Sequence, residues 1–232
     1  MIIFAYSFPH KKTQDFLLIS QFWGFEIEAV IAAKPQVLKK PKRTFQYKYS
    51  HASLFDIPEL CARGNIRYFE VSSHNGLEAH EIIQKIQPKL GLISGARILK
   101  DKTISLFSKG IINIHPGLIP EVRGMDSLLW ALYLGLPLGV TAHFIDSRVD
   151  AGRVIQKAGI EIHPSDSLKD IYLRLYETQI GILPQVLLET HQKDFKEFEP
   201  VPFSEKKAFS YFPEEKFQVL LDRFEKRKME GR

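Results

Sequence analysis

Short apolar runs alternate with stretches of helical period through the first half of this chain, and nothing else in it narrows the fold as much. "MIIFAY" reads as a buried strand, "TQDFLLISQFWG" as a helix closed by Gly24, and "FEIEAVIAA" as a second strand. "DIPELCARG" then reads as a helix with Asp56 as N-cap and Gly64 past its end. "IRYFEV", "LGLISG" and "GIINIH" follow as strands separated by helical segments such as "LEAHEIIQKIQ". Strands that alternate with helices need crossover connections, so they assemble into a parallel sheet covered on both faces. The expected fold class is α/β: a Rossmann-like, mainly parallel twisted sheet flanked by helices, with a short C-terminal extension.

In the second half, "MDSLLWALYLG" reads as a helix ending at Gly135, and "GVTAHFID" and "GRVIQKAGIEI" as strands joined in hairpin fashion through "SRVDA". Apolar residues at Leu168, Ile171, Tyr172, Leu175, Leu183, Val186 and Leu187 keep a helical period. Ser167 and Asp170 form a capping-box variant at its start, and Pro184 should kink it. From about Pro200 the pattern changes to a tail that reads as a short strand and a charged helix. The expected division is a domain over residues 1–195 and an extension over 196–232, with no internal repeat.

Composition closes off several classes. The chain has 232 residues, 44% apolar and 25% charged, enough for one sizeable globular domain. Its one cysteine, Cys61, rules out an intramolecular disulfide and a thiolate zinc cluster. The start "MIIFAYSFPHKK" has too short an apolar run for a secretory signal, and no run reaches membrane-spanning length. A soluble, cytoplasmic protein without a membrane partner is expected. The net charge is +5, and its excess is concentrated. No acid occurs between Ala29 and Phe55, where Lys34, Lys39, Lys40, Lys42, Arg43 and Lys48 lie. That run is either a solvated loop or a contact for a phosphorylated partner. Only Phe45, Tyr47 and Tyr49 accompany it, and no recognisable nucleic-acid motif does, so nucleic acid is not the expected partner.

Chemistry concentrates at "GIINIHPGLIPEVRG". In a strand, residues two apart share a face, so Asn113 and His115 point one way and Ile112 and Ile114 the other. Pro116 cannot donate to a ladder and should end the strand, which leaves the pair at its carboxyl end, where open α/β sheets bind ligands. An amide beside an imidazole suits stabilisation of a developing oxyanion and proton transfer near neutral pH. A structural alternative is that both side chains cap the chain as it leaves the strand. A second polar cluster, Thr141, His143, Asp146 and Asp150, follows an intervening helix. If both strands share a sheet, an acid from it reaches His115, orients the ring and favours its charged form.

"NIHPGLIPEVRG" followed by "VTAHFIDSRVDAGRVI" resembles the signature of the folate-dependent formyltransferases, which include the glycinamide ribonucleotide, methionyl-transfer-RNA and sugar N-formyltransferases. "SGARILK" stands where that family has its pterin-binding segment. The resemblance spans Leu90 to Ile155, while the first ninety residues match only in strand–helix layout and lack the Gly-Ser-rich first loop of the purine enzymes. It implies transfer of a formyl group from 10-formyltetrahydrofolate to a primary amine. The family's catalytic Asn, His and Asp fall on Asn113, His115 and Asp150. Arg97, Ile98 and Leu99 would line the pterin pocket, mostly through backbone groups, and the turn from Asp146 through Val149 to Asp150 would close its other side. His143 would pack beneath the site with its ring hydrogen-bonded, and Arg123 and Gly124 would serve either positioning or a simple turn. The remaining histidines show no metal-ligand spacing, so no metal is expected.

The acceptor follows from what the resemblance leaves. The transfer-RNA enzymes carry a C-terminal barrel for which the residues after the long helix are too few, and the first-loop phosphate signature of the purine enzymes is missing. The expected acceptor is therefore the amino group of a nucleotide-linked amino sugar used in surface polysaccharide (O-antigen) synthesis. Glycinamide ribonucleotide, water as in a hydrolase, and a non-catalytic folate or nucleotide-sugar binding module are the alternatives. Trp130, Tyr211 and Phe212 are candidates to stack on a base or border a sugar, and the basic run to meet a diphosphate. The tail "AFSYFPEEKF" is expected as a hairpin or arm packed on a second subunit, in a homodimer.

Overall fold

The computed structural model describes residues 1–35, 54–202 and 207–230. The elements in chain order are β1 (Ile2–Tyr6), α1 (Lys11–Phe22), β2 (Ala29–Ala33), α2 (Ile57–Arg63), β3 (Arg67–Val71), α3 (Leu77–Ile86) and β4 (Leu90–Ile93). There follow α4 (Asp101–Ile104), β5 (Gly110–His115), α5 (Ser127–Leu134), β6 (Leu138–Phe144) and β7 (Arg153–Ile160). The chain closes with α6 (Leu168–Gly181), α7 (Leu183–Gln192), β8 (Glu199–Pro200) and α8 (Phe217–Glu230). Local signals placed many of these ends. Asp56 accepts the Glu59 N–H at the start of α2, and Ser167 and Asp170 form a reciprocal capping box on α6. Pro184 sits in the first turn of α7 and splits the long helical stretch in two, because it can start a helix and cannot continue one.

One eight-stranded sheet runs β3-β2-β1-β4-β5-β6-β7-β8. From β3 to β5 the pairing is parallel, and from β5 to β8 it is antiparallel. The α/β expectation holds, with β5 as the strand where the direction changes. Period-2 burial divides the core between the two faces. Ile3, Ala5, Ile112 and Ile114 pack with α1, α5, α6 and α7, while Ile2, Phe4 and Ile111 pack with α3. Asn113 and His115 thus share the face of Ile111.

Within the extension, β8 pairs with β7, and Leu220 and Phe224 of α8 are buried in the larger core beside α5. The segment around Phe209 forms a parallel bridge with Gly124 of the same chain. The arm expected on a second subunit therefore docks on its own domain. Most of the basic run, from Lys39 onward with Phe45, Tyr47 and Tyr49, lies outside the described residues. Among the described residues no helix is long and apolar enough to cross a membrane.

Candidate active site

The site begins with a cross-strand pair. Asn113 on β5 lies opposite His143 on β6, and directly opposed residues project from the same face. His143 is completely buried, and its Nδ1 donates to the Ala151 carbonyl at 2.8 Å. Its Nε2 therefore carries the lone pair and accepts from the Asn113 Nδ2 at 3.4 Å, which orients that amide. Burial first, and then the charge of His115, hold the His143 pKa below the ordinary imidazole value, with Asp150 and two backbone carbonyls opposing. His143 is thus a neutral support beneath the site, as expected.

Loop 145–152 folds back over this face. Gly152, at φ +104°, has no room for a Cβ, which would run into the Phe144 carbonyl, and Asp150 itself stands at φ +46°. This conformation sets the Asp150 Oδ1 at 3.3 Å from the His115 Nδ1. The Asp150 Oδ2 accepts the Gly124 N–H at 2.7 Å. Burial raises the Asp150 pKa, but the hydrogen bond and charge of His115, the Gly124 N–H and His143 outweigh it, and the net shift is downward. The carboxylate is ionised at neutral pH.

On its other side, the His115 Nε2 lies 2.9 Å from the Val122 carbonyl and 3.0 Å from the Ser127 Oγ, whose own proton goes to the Gly124 carbonyl at 3.0 Å. A carbonyl and an ionised carboxylate can both only accept. The buried ring thus lies between a carboxylate at Nδ1 and a carbonyl at Nε2, a setting that favours its protonated form. Thr141, in the same cluster, ties the loop after β5 by accepting the Ile119 N–H and donating to the Gly117 carbonyl.

A second cation stands behind β5. The partner strand β4 ends opposite Asn113, and the Ile114 carbonyl accepts instead from the Lys12 Nζ at 3.1 Å and the Gln179 Nε2 at 2.7 Å. Burial lowers the Lys12 pKa to about 8, against the opposing pull of Asp150. His10, two residues earlier, is lowered to about 4 by burial and by Lys12.

One cavity borders this cluster, and a second lies over the carboxyl ends of β1, β2 and β3. The first, of about 380 Å³, lies beside Pro116, Gly124, Ser127, Tyr172, Tyr176 and Gln179. The other, of about 310 Å³, is lined by Tyr6, Lys34, Ser73, Asn75, Arg97 and Ile98. The expected pterin segment follows β4 at its rim: Arg97 and Ile98 are exposed, Leu99 is buried, and the Ile98 carbonyl accepts from Asn75. Asp146 is ion-paired with Arg148, and Val149 is exposed on the loop over the sheet face. Among the described residues no group of three or more His, Cys, Asp or Glu side chains could hold a metal.

The structure joins Asn113, His115 and Asp150, and adds two neighbours that sequence reasoning missed. Ser127 reads only as the first residue of an apolar helix, and Lys12 only as part of "HKK" before another. Gly124, left between positioning and a simple turn, binds Asp150 through its backbone N–H. Trp130 and Phe212, candidates to stack on a base, are occupied by each other and by Phe209, which lies flat on the indole at 4.7 Å.

Fold and site together define an α/β domain with an amide and a carboxylate-paired imidazole at the strand where a parallel sheet turns antiparallel. The chain belongs to the formyl transferase family, whose profile matches residues 23–187. It is 27% identical over 165 residues to a methionyl-tRNA formyltransferase of Chlorobium chlorochromatii, covering 71% of this chain and 50% of that protein. It is 29% identical to a phosphoribosylglycinamide formyltransferase of Bacillus subtilis, covering 59% and 70%. The crystal structure of a sugar N-formyltransferase from a Shewanella species matches 97% of this chain and 87% of its own, with a TM-score of 0.60 at 16% identity.

Proposed function

We propose that the chain transfers a formyl group from 10-formyltetrahydrofolate to a primary amine, and that the amine belongs to a nucleotide-linked amino sugar. The observation that carries this reading is the convergence of Asn113 and the His115–Asp150 pair on one sheet face. This donor set fits a formyl group, because an amide N–H and an imidazolium are what a carbonyl oxygen needs as it gains negative charge. When bound, the folate supplies the electrophilic carbon. The Asn113 Nδ2, with one proton directed to His143, directs its other at the oxygen. His115 places positive charge beside it, and Asp150 maintains that charge. Asp150 is also the ionised group with lone pairs to take the proton that the attacking amine must lose, and that proton would pass to the folate nitrogen as its bond to the formyl carbon breaks and tetrahydrofolate leaves.

Arg97, Ile98, Leu99, Asp146 and Val149 are proposed to hold the folate, with the cationic cavity of Lys34 and Arg97 suiting its anionic end. The cavity beside Ser127 is proposed for the acceptor. Its tyrosines and the Gln179 amide suit a sugar, which offers both apolar C–H faces and hydroxyls. The likeness to the purine enzymes favours glycinamide ribonucleotide as the second reading. The deciding experiment measures tetrahydrofolate release from 10-formyltetrahydrofolate with a dTDP-4-amino-4,6-dideoxyhexose, with glycinamide ribonucleotide, with methionyl-tRNA, and with no amine. Release that requires the amino sugar is the expected result. Release with another acceptor overturns the sugar assignment, and release without any amine overturns the transferase reading in favour of a hydrolase.

A further inference from the structure

We infer that the segment 207–212 of the C-terminal extension positions the reacting pair, because its pairing with Gly124 fixes the backbone that holds both Asp150 and Ser127. The inference rests on the reading of His115 and Asp150 as reacting groups. The Phe209 N–H donates to the Arg123 carbonyl at 2.7 Å, and the Met125 N–H donates to the Phe209 carbonyl at 2.8 Å. The segment therefore grips the chain on both sides of Gly124. Gly124 stands at φ +99°, and a Cβ there would run into the Phe209 backbone. The approach is possible only with glycine.

From Gly124 the connection to the site is two hydrogen bonds long. Its N–H binds the Asp150 Oδ2 at 2.7 Å. Its carbonyl accepts from Ser127, whose oxygen lies 3.0 Å from the His115 Nε2. Both partners of the ion pair are thus aimed by one peptide unit on each side of Gly124, and the segment holds those units still. The segment is itself anchored: the Phe212 N–H donates to the Asp126 Oδ2 at 2.7 Å, and the Trp130 Nε1 donates to the Ser210 carbonyl at 2.9 Å. Behind it, Arg227 of α8 donates to the Leu136 carbonyl. A segment that merely covered apolar surface would need its rings against α5 and no backbone bonds to 123–125.

The test compares Phe209→Pro, which removes the N–H, with Phe209→Leu, which keeps the N–H and an apolar side chain. The readouts are the Asp150 carboxyl 13C titration in the free protein, assigned with Asp150→Asn, and kcat and KM for 10-formyltetrahydrofolate. Phe209→Pro should move the Asp150 midpoint upward and lower kcat about tenfold or more, with KM within about twofold. Phe209→Leu should match the wild type in all three. A wild-type Asp150 midpoint in Phe209→Pro, or an equal displacement in both variants, overturns the inference. Should Phe209→Pro fail to fold, Trp130→Phe removes the anchor to Ser210 and part of the ring surface stacked on Phe209, and should move the midpoint in the same direction by less; an unmoved midpoint there overturns it. The titration needs no turnover, so a wild-type protein that transfers no formyl group sinks the functional reading and leaves this result standing.

Discussion

Lys12→Met should stabilise the folded protein at neutral pH, although it removes a hydrogen bond and a cation over the Phe16 ring. The native state lowers the Lys12 pKa from 10.5 to about 8, chiefly by burial, so folding costs free energy whenever the amine is charged. That lowering corresponds to about 3 kcal/mol. Losing the bond to Ile114 returns about 1 kcal/mol, since Gln179 keeps that carbonyl satisfied. The net gain is about 2 kcal/mol, or a Tm rise of roughly 4–8 °C for a chain of this size. The pH dependence carries the sharper signature. Between pH 8 and 10.5 the unfolded state holds the Lys12 proton and the folded state does not, so wild-type stability gains on the variant as pH rises. The advantage of Lys12→Met should be full below pH 8 and nearly gone by pH 10.5. Urea unfolding of both proteins at pH 7, 8.5 and 10 measures it. A variant no more stable than wild type at pH 7, or an advantage constant across the series, would refute the reasoning.

Three further outcomes follow from the geometry. Asp150→Asn keeps an acceptor for the Gly124 N–H but removes the charge 3.3 Å from His115, so formyl transfer should fall about 10²–10⁴-fold with the fold intact; steady-state rates and circular dichroism check this. Ser127→Ala leaves the His115 Nε2 bonded to the Val122 carbonyl, so its loss in kcat should be only about tenfold, and a loss as large as that of Asp150→Asn would contradict the assigned roles. Asp166 is held at a pKa of about 2, first by its hydrogen bond to Arg174, and the His163 N–H supports it against burial. A lowered carboxylate stabilises the fold above its unfolded value and loses that contribution as pH falls through its folded one. Asp166→Asn should therefore cost about 1–2 kcal/mol at pH 7 and very little near pH 2, as read from thermal unfolding at both.

The strands were legible because their signal is local. Asn113 and His115 could be assigned to one face by counting in twos, and the structure puts Ile112 and Ile114 in the core on the other. Pro184 and the Ser167–Asp170 box act within a single turn, so they too could be read directly. Asp150 was different. It follows His115 by thirty-five positions, and only family resemblance singled it out; the conformation that delivers it depends on Gly152 fitting against Phe144. The arm failed for a related reason. "AFSYFPEEKF" shows apolar residues in search of a surface, and composition cannot say whose surface. Here it is α5 and the loop before it, reached by Phe209, Ser210 and Phe212.

What sequence pattern could not convey is why the site sits at β5. Parallel pairing ends on one edge of that strand, with β4 stopping opposite Asn113, and antiparallel pairing begins on the other. The stop exposes the Ile114 carbonyl, which must find donors, and Lys12 and Gln179 provide them from two helices. The change of direction brings His143 opposite Asn113 and lets the loop after β6 return across the same face with Asp150. Because β6 ends beside Ile112, that loop has to run back along the sheet face, and doing so brings Asp150 to His115. The charges gather where the hydrogen-bonding pattern of the sheet is interrupted, because there the backbone leaves a group for side chains from distant parts of the chain to satisfy.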